Sequence, residues 1–223
     1  MVLKLYGEHM STKTRSVAQI CIEKDVPFEF VQVDINAGEQ KQPENIARHP
    51  FGQLPVIDDN GILVYESRAC ARYIAAKYAA QGTPGLIALP ETTGRDAERM
   101  AAYAAFEQAA HVEVCSFEPW AYGVAWERVF KIRRGLKTDE ARLQENVQRL
   151  EEKLDVYEGI LGKQAYLAGD HVTLADLFHL PLSTMLEERF EMDVFKPEAR
   201  PNVARWWKDI SSRPSWLAVK NGV

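Results

Sequence analysis

A chain of 223 residues has room for one large domain or two small ones, and its 46% hydrophobic and 26% charged residues are ordinary for a folded globular protein. A net charge of −5 and a pI near 5.6 argue against the cationic surface that nonspecific nucleic-acid binding requires. No apolar run approaches the ~18 residues of a membrane span, and Met1 to His9 lack a signal peptide's apolar segment, so a cytoplasmic protein is expected.

The first eighty residues alternate between two periods. Val2–Tyr6 is a short apolar strand ended by Gly7. Ser11 then leads into a helical stripe of Val17, Ile20 and Cys21 that closes before Pro27. Phe28–Val33, rich in aromatic and β-branched residues, reads as a second strand. A polar, weakly helical stretch covers residues 36–49. Leu54–Ile57 and Ile62–Tyr65 flank Asp58-Asp-Asn-Gly61, where Asn60-Gly61 is a strong hairpin signal. A helix from about Glu66 carries Ala69, Tyr73, Ala76 and Tyr78. The order β-α-β-α-β-β-α implies a small α/β sandwich whose first two strands, joined through a helix, run parallel.

Residues 81–94 read as a linker, with Gly, Pro and Thr clusters. Beyond it no convincing strand pattern occurs. Leu143, Val147, Leu150, Leu154, Tyr157 and Leu161 recur at spacings of four and three, one buried helical stripe ended by Gly162. Thr173-Leu-Ala-Asp176 has the form of a capping box, with Val172 and Leu177 placed as a staple. Pro181 should bend or shorten that helix, and Asn202–Ile210 starts another. The expected organisation is an α/β domain over residues 1–80, a linker over 81–94 and an all-helical domain over 95–223. Cys21, Cys70 and Cys115 are odd in number and without CxxC or metal-ligand spacing, so no disulfide or metal is expected and they read as small residues buried in helices.

Four small groups in the first domain carry possible chemistry, and each has an ordinary structural reading. Ser11 at the first helix head is by default an N-cap. The same geometry suits an anion, because free N–H groups and the helix dipole favour negative charge and a hydroxyl can donate to it. Gln53-Leu54-Pro55 is usually a strand entry, but a cis Leu54–Pro55 bond would leave Leu54's N–H and C=O open to a peptide-like ligand. Glu66-Ser67-Arg68 is a solvated helix start, or a pair in which Ser67 holds a carboxylate and Glu66 an ammonium. Gln40-Lys41 sits in a polar loop and in isolation reads as a solvated surface pair. Taken together the four describe a binding site for a γ-glutamyl tripeptide with a free thiol.

With Leu5-Tyr-Gly7, Ser11-Thr12, Arg15, Glu23-Lys-Asp-Val-Pro27, Gly38-Glu-Gln-Lys41, Pro50-Phe-Gly-Gln-Leu-Pro55, Glu66-Ser-Arg-Ala69, Tyr166-Leu-Ala-Gly-Asp170, Thr173-Leu-Ala-Asp176 and Arg213-Pro-Ser-Trp216, the chain resembles the cytosolic glutathione transferases over essentially its whole length. The nearest likeness is to the serine-type phi class of plants and its fungal relatives. The resemblance implies a thioredoxin-like N-terminal domain, an all-α C-terminal domain, a homodimer, and glutathione as co-substrate without a metal. It places Ser11 against the glutathione sulfur, Gln40 and Lys41 on the glycyl carboxylate, Gln53 and Leu54 along the cysteinyl backbone, and Glu66 and Ser67 on the γ-glutamyl group. Gln40 stands where many phi members have His, which removes a titratable donor and keeps a neutral one. Phe51 matches an aromatic that keys into the partner subunit, its alternative being a local core contact.

A free thiol near pKa ~8.5 is only a few per cent thiolate at pH 7. Lowering it by about two units takes ~2.7 kcal/mol. A charge-assisted hydrogen bond from Ser11 (~1.5–3 kcal/mol) with a helix N-terminus (~0.3–1 kcal/mol) covers that amount. Tyr6, at the end of the first strand, is the rival hydroxyl and reads as strand core or wall. Met10, Phe117 and Trp120 are candidates for an apolar substrate site, with plain core as their alternative. The expected activity is conjugation of the thiolate to apolar electrophiles, with hydroperoxide reduction as a related reaction. The alternatives are a carrier of apolar metabolites and an interaction module.

Overall fold

The computed structural model describes residues 2–89, 96–190, 195 and 197–223, so residues 90–94 of the expected linker lie outside the described residues. The chain divides into two compact units, Met1–Ile87 with Arg213–Val223, and Ala88–Ser212.

The first unit holds β1 (Leu3–Gly7), α1 (Thr12–Glu23), β2 (Phe28–Gln32), a 3-10 turn (Glu39–Lys41), α2 (Pro43–Arg48), β3 (Val56–Asp59), β4 (Ile62–Tyr65) and α3 (Ser67–Lys77). The sheet order is β2-β1-β3-β4. β1 and β2 are parallel, as expected for strands joined through a helix, and β3 is antiparallel to β1 and β4. Asn60 and Gly61 turn the β3–β4 hairpin at φ 57 and φ 90, the left-handed pair that a two-residue hairpin loop requires. The core of this unit is Leu3, Leu5, Val17, Ile20, Ile57 and Ile74, all buried.

Helix α1 is buried on more than one side because α3 and α11 (Pro214–Val219) both pack against it. The last residues thus return to the first unit, a grouping different from the sequence-based division at residue 95. The reason is local chemistry at Glu23. Arg213 donates to both its carboxylate oxygens at 2.7 Å, and the hydroxyls of Ser215 and Thr83 also donate to it. Burial alone would push the Glu23 carboxyl up, but Arg213 first, then Ser215 and Thr83, outweigh it and hold the group below the ordinary carboxylate range. A lowered folded-state pKa contributes stability that is present above the unfolded value and lost as pH falls through the folded one. Glu23→Gln is therefore expected to cost about 3 kcal/mol at neutral pH. It should also flatten the fall in stability between about pH 5 and 3, read by urea unfolding across that range.

The second unit opens on a helical run from Ala97 to Arg133: α4 (Ala97–Val112), a π turn (Glu113–Phe117), α5 (Glu118–Ala125), a second π turn (Trp126–Phe130) and α6 (Lys131–Arg133). Then come α7 (Glu140–Leu161), α8 (Leu174–Leu177), α9 (Leu180–Phe190) and α10 (Pro201–Ser211). Among the described residues this unit has no strand, only a single bridge between Tyr166 and Gly169. The α7 stripe buries Leu143, Leu150, Leu154, Tyr157 and Leu161, with Asn146 buried and Val147 half-buried. Pro181 sits in the first turn of α9, where its missing N–H costs nothing, and this is why α8 stops and a new helix starts. The capping box forms: Asp176 accepts from the Thr173 N–H at 2.8 Å and the Thr173 hydroxyl at 3.0 Å.

Cys21 and Cys70 are buried in α1 and α3, and burial pushes both thiols up to about 12. Cys115 departs from the buried-helix expectation, being exposed on the first π turn. No described helix is long and apolar enough to cross a membrane.

Candidate functional site

Strand register gathers the four groups. Gly7 at the end of β1 pairs with Gln32 at the end of β2, Tyr6 pairs with Val56 at the start of β3, and Val56 pairs with Tyr65 at the end of β4. The chain therefore leaves β1 toward Met10-Ser11, leaves β2 toward Gln40-Lys41, enters β3 from Gln53-Leu54 and leaves β4 into Glu66-Ser67, all at one end of the sheet.

Ser11 is the N-cap of α1, at φ −61 and ψ 129. The Thr14 N–H donates to its Oγ at 3.4 Å, a long bond that leaves the hydroxyl proton free to turn outward. The first turn of α1 has no acidic residue, so nothing there neutralises the positive end of the helix. Ser11 and Met10 are both half-exposed. The Arg48 guanidinium lies 4.4 Å from the Tyr6 ring, which fits a wall of the strand.

Gln40 and Lys41 lie on the 3-10 turn and reach the loop before β3. The Lys41 ammonium donates to the Phe51 carbonyl at 2.8 Å. A Cβ on Gly52, whose φ is +56, would fall 2.8 Å from the Gln40 carbonyl oxygen, so glycine is needed for the two segments to touch. The Gln40 carboxamide oxygen is buried with no partner among the described residues; it is an acceptor, and only the amide N–H groups of this side chain can donate to a carboxylate. Leu54–Pro55 is cis, and strand pairing starts only at Val56, so the Leu54 N–H and C=O stand outside the ladders.

Glu66 takes φ 68 and ψ 116 at the head of α3, a backbone state that costs about 1–3 kcal/mol for a residue with a Cβ. Its side chain is 62% exposed while Ser67, one residue on, is buried. Sequence reasoning missed His49. It is buried, its ring lies 4.5 Å from that of Tyr65, and its Nε2 is 3.9 Å from a Glu66 carboxylate oxygen. The Phe51 N–H donates to His49 Nδ1 at 3.3 Å, which puts the ring proton of the neutral form on Nε2, toward Glu66. Burial pulls the imidazole below its ordinary value against the pull of Glu66, so it is mainly neutral near pH 7. Phe51 itself is 67% exposed, and its alternative as a core contact does not hold within this chain.

Phe117 is a correction. It is fully buried in the helical unit, its ring 4.4 Å from that of His179 and 6.5 Å from that of Tyr157, so it is core and has no free face for a substrate. Trp120 is half-buried and lines a cleft within that unit.

One sheet end thus carries a hydroxyl at a dipole-positive helix head, an unpaired strand edge, a carboxylate beside a helix start, and an amide-ammonium pair. Residues 1–76 match the model for the glutathione S-transferase N-terminal domain, and residues 104–214 match that for the C-terminal domain. The chain belongs to the glutathione S-transferase family. It is similar to glutathione S-transferase PM239X14 of Arabidopsis thaliana, 44% identical over 209 residues that cover 93% of this chain and 90% of the relative. Among solved structures it is similar to glutathione transferase F7 from Populus trichocarpa, with a TM-score of 0.88 and 38% identity over 98% of this chain and 97% of that one. It is also similar to maize glutathione S-transferase I in complex with an atrazine glutathione conjugate, with a TM-score of 0.85 and 30% identity over 99% and 97% of the two chains. These plant enzymes bear out the phi-class likeness and the glutathione transferase fold.

Proposed function

We propose that this glutathione transferase joins the thiolate of glutathione to small apolar electrophiles, with Ser11 donating the hydrogen bond that stabilises the sulfur anion. The observation that carries the reading is the Ser11 hydroxyl, weakly engaged at 3.4 Å, on a helix head with no acidic residue in its first turn. Gln40 and Lys41 take the glycyl carboxylate, Gln53 and the open Leu54 backbone take the cysteinyl unit, and Ser67 and Glu66 take the carboxylate and ammonium of the γ-glutamyl group. Residues 1–80 are the glutathione-binding domain and residues 95–223 the all-helical domain; Met10 on the Ser11 loop and Trp120 in the helical domain are each candidates for contact with an apolar substrate. Phe51 serves as the contact of a homodimer, and the enzyme works in the cytoplasm without a metal. The same thiolate can attack the O–O bond of an organic hydroperoxide. The maize relative, solved in complex with an atrazine glutathione conjugate, supports conjugation of a small electrophile over a carrier role.

Turnover of a chlorodinitrobenzene with glutathione tests the reading, since a carrier would bind an apolar dye and give no conjugate. Within it, Glu66→Gln is expected to raise the glutathione KM about tenfold with little change in kcat, because the lost contact is to a group remote from the reacting sulfur. An unchanged KM would remove Glu66 from the γ-glutamyl contact.

A further inference from the structure

His49 closes α2 as its C-cap residue, and its side chain is 2% exposed. Its backbone is held on both sides: the N–H donates to the Asn45 carbonyl at 2.8 Å, and the carbonyl accepts from the Gly52 N–H at 2.8 Å. The ring packs against that of Tyr65 at 4.5 Å and meets the Phe51 ring edge-on at 6.0 Å. Packing alone asks only for a flat ring at this place, and a phenyl group would supply one. An imidazole is a costlier choice, because a polar group taken out of water must find partners. Nδ1 has one in the Phe51 N–H at 3.3 Å, which braces the loop before the cis Leu54–Pro55 bond. Nε2, which carries the proton, faces the Glu66 carboxylate at 3.9 Å, and bracing the loop does not account for it.

Glu66 is a group that gains from such a neighbour. Its side chain is 62% exposed, and a long carboxylate in solvent must give up rotamer freedom to hold a ligand. A donor on a rigid, buried ring narrows that freedom before the ligand arrives. At 3.9 Å the contact is longer than a hydrogen bond. A small turn of the Glu66 side chain closes it to the usual range of about 2.7–3.2 Å, and contacts in unliganded sites often tighten in this way. Charge matters as well. Glu66 favours protonation of the ring, but burial first, with Lys41 adding to it, keeps the imidazole mainly neutral near pH 7. A neutral donor orients the carboxylate without cancelling its negative charge, which stays available to an ammonium. A lysine or arginine in the same place would pair with Glu66 and compete with the ligand.

We infer that His49 is a positioning residue for Glu66: its Nε2–H sets the carboxylate in the orientation that receives the γ-glutamyl ammonium of glutathione. The inference rests on the proposed contact between Glu66 and that ammonium. His49 takes no part in the chemistry at sulfur, so its effect is confined to glutathione binding.

The test is a double-mutant cycle on the intact protein, read as the Kd of S-methylglutathione by isothermal titration. His49→Phe keeps a flat ring and removes the donor, and it is expected to weaken binding about five- to tenfold. His49→Gln brings an amide N–H near the position of Nε2 and should stay within about twofold of wild type. In a Glu66→Ala background, His49→Phe should change the Kd by less than about twofold, because the carboxylate it positions is gone. In turnover, the His49→Phe loss should appear in the glutathione KM and not in kcat. General damage to the fold would weaken binding equally with and without Glu66, so the cycle separates it from positioning. A wild-type Kd in His49→Phe, a His49→Gln variant as weak as His49→Phe, or the same His49→Phe loss in both backgrounds would each overturn the positioning role. The last of these, with Glu66→Ala itself weak, leaves the Glu66 contact standing. Glu66→Ala at wild-type affinity removes the contact and the positioning role together.

Discussion

Ser11→Ala is expected to lower kcat/KM for conjugation roughly 10- to 150-fold, the worth of one hydrogen bond to a charged group at about 1.5–3 kcal/mol. The loss should fall on the thiolate and not on glutathione binding, because Gln40, Lys41, Leu54, Glu66 and Ser67 sit on other segments and are left intact. The glutathione KM should therefore move little while the rate at neutral pH drops and recovers as pH rises toward the free thiol's pKa of ~8.5. A residual rate is expected, since the acid-free first turn of α1 still offers its N–H groups to the sulfur. Tyr6→Phe distinguishes the rival hydroxyl and should leave kcat/KM within about twofold. A large loss there, with Ser11→Ala near wild type, would assign the sulfur to the Tyr6 hydroxyl and not to Ser11.

The largest expected effect on stability belongs to Asp176. It is buried and accepts four hydrogen bonds: the Thr173 N–H and hydroxyl on one oxygen, the Leu167 N–H at 2.9 Å and the Trp206 indole N–H at 3.0 Å on the other. These tie the start of α8 to the loop after α7 and to α10. Asp176→Ala leaves buried donors unpaired at about 1–3 kcal/mol each, so a loss of about 4–5 kcal/mol is expected. Burial pushes the Asp176 carboxyl above its ordinary value despite the donors around it. A raised folded-state pKa contributes stability that is present below the unfolded value and lost as pH rises through the folded one, so the ionised form carries a burial cost at neutral pH. Asp176→Asn keeps one acceptor oxygen and sheds that cost, and it should lose less than half as much as alanine in urea unfolding at pH ~7. Equal losses for the two variants would mean that the carboxylate's charge, and not its acceptors, holds the cap.

The parts of this molecule that could be read in advance are those set by neighbours in sequence. Asn60-Gly61 forms the hairpin because both residues tolerate positive φ, and Thr173 with Asp176 closes its cap within one turn. The stripe from Leu143 to Leu161 reports its buried face through spacing alone. Ser11 and Glu66 were legible as helix heads for the same reason. Longer-range features were not. The return of residues 213–223 to the first unit depends on Arg213 reaching Glu23, 190 positions away. His49 looks like a loop residue until strand pairing brings Glu66 beside it. Phe117 and Trp120 both carried the same apolar, aromatic signal, yet the first is core and the second lines a cleft. They lie on either side of the junction between a π turn and α5, where the extra residue in the turn shifts the helical phase that spacing assumes. A motif names residue types, and packing decides which of them keep an open face.

The proposed mechanism turns on Ser11 lowering the pKa of a borrowed thiol. Ultraviolet titration of thiolate formation in the glutathione complex measures it directly, in the wild-type protein and in Ser11→Ala at saturating glutathione. A thiol pKa near ~6.5 is expected in the wild type, with a rise of about one to two units in the variant. A pKa near ~8.5 in the wild type, or the same low value in both proteins, would contradict it.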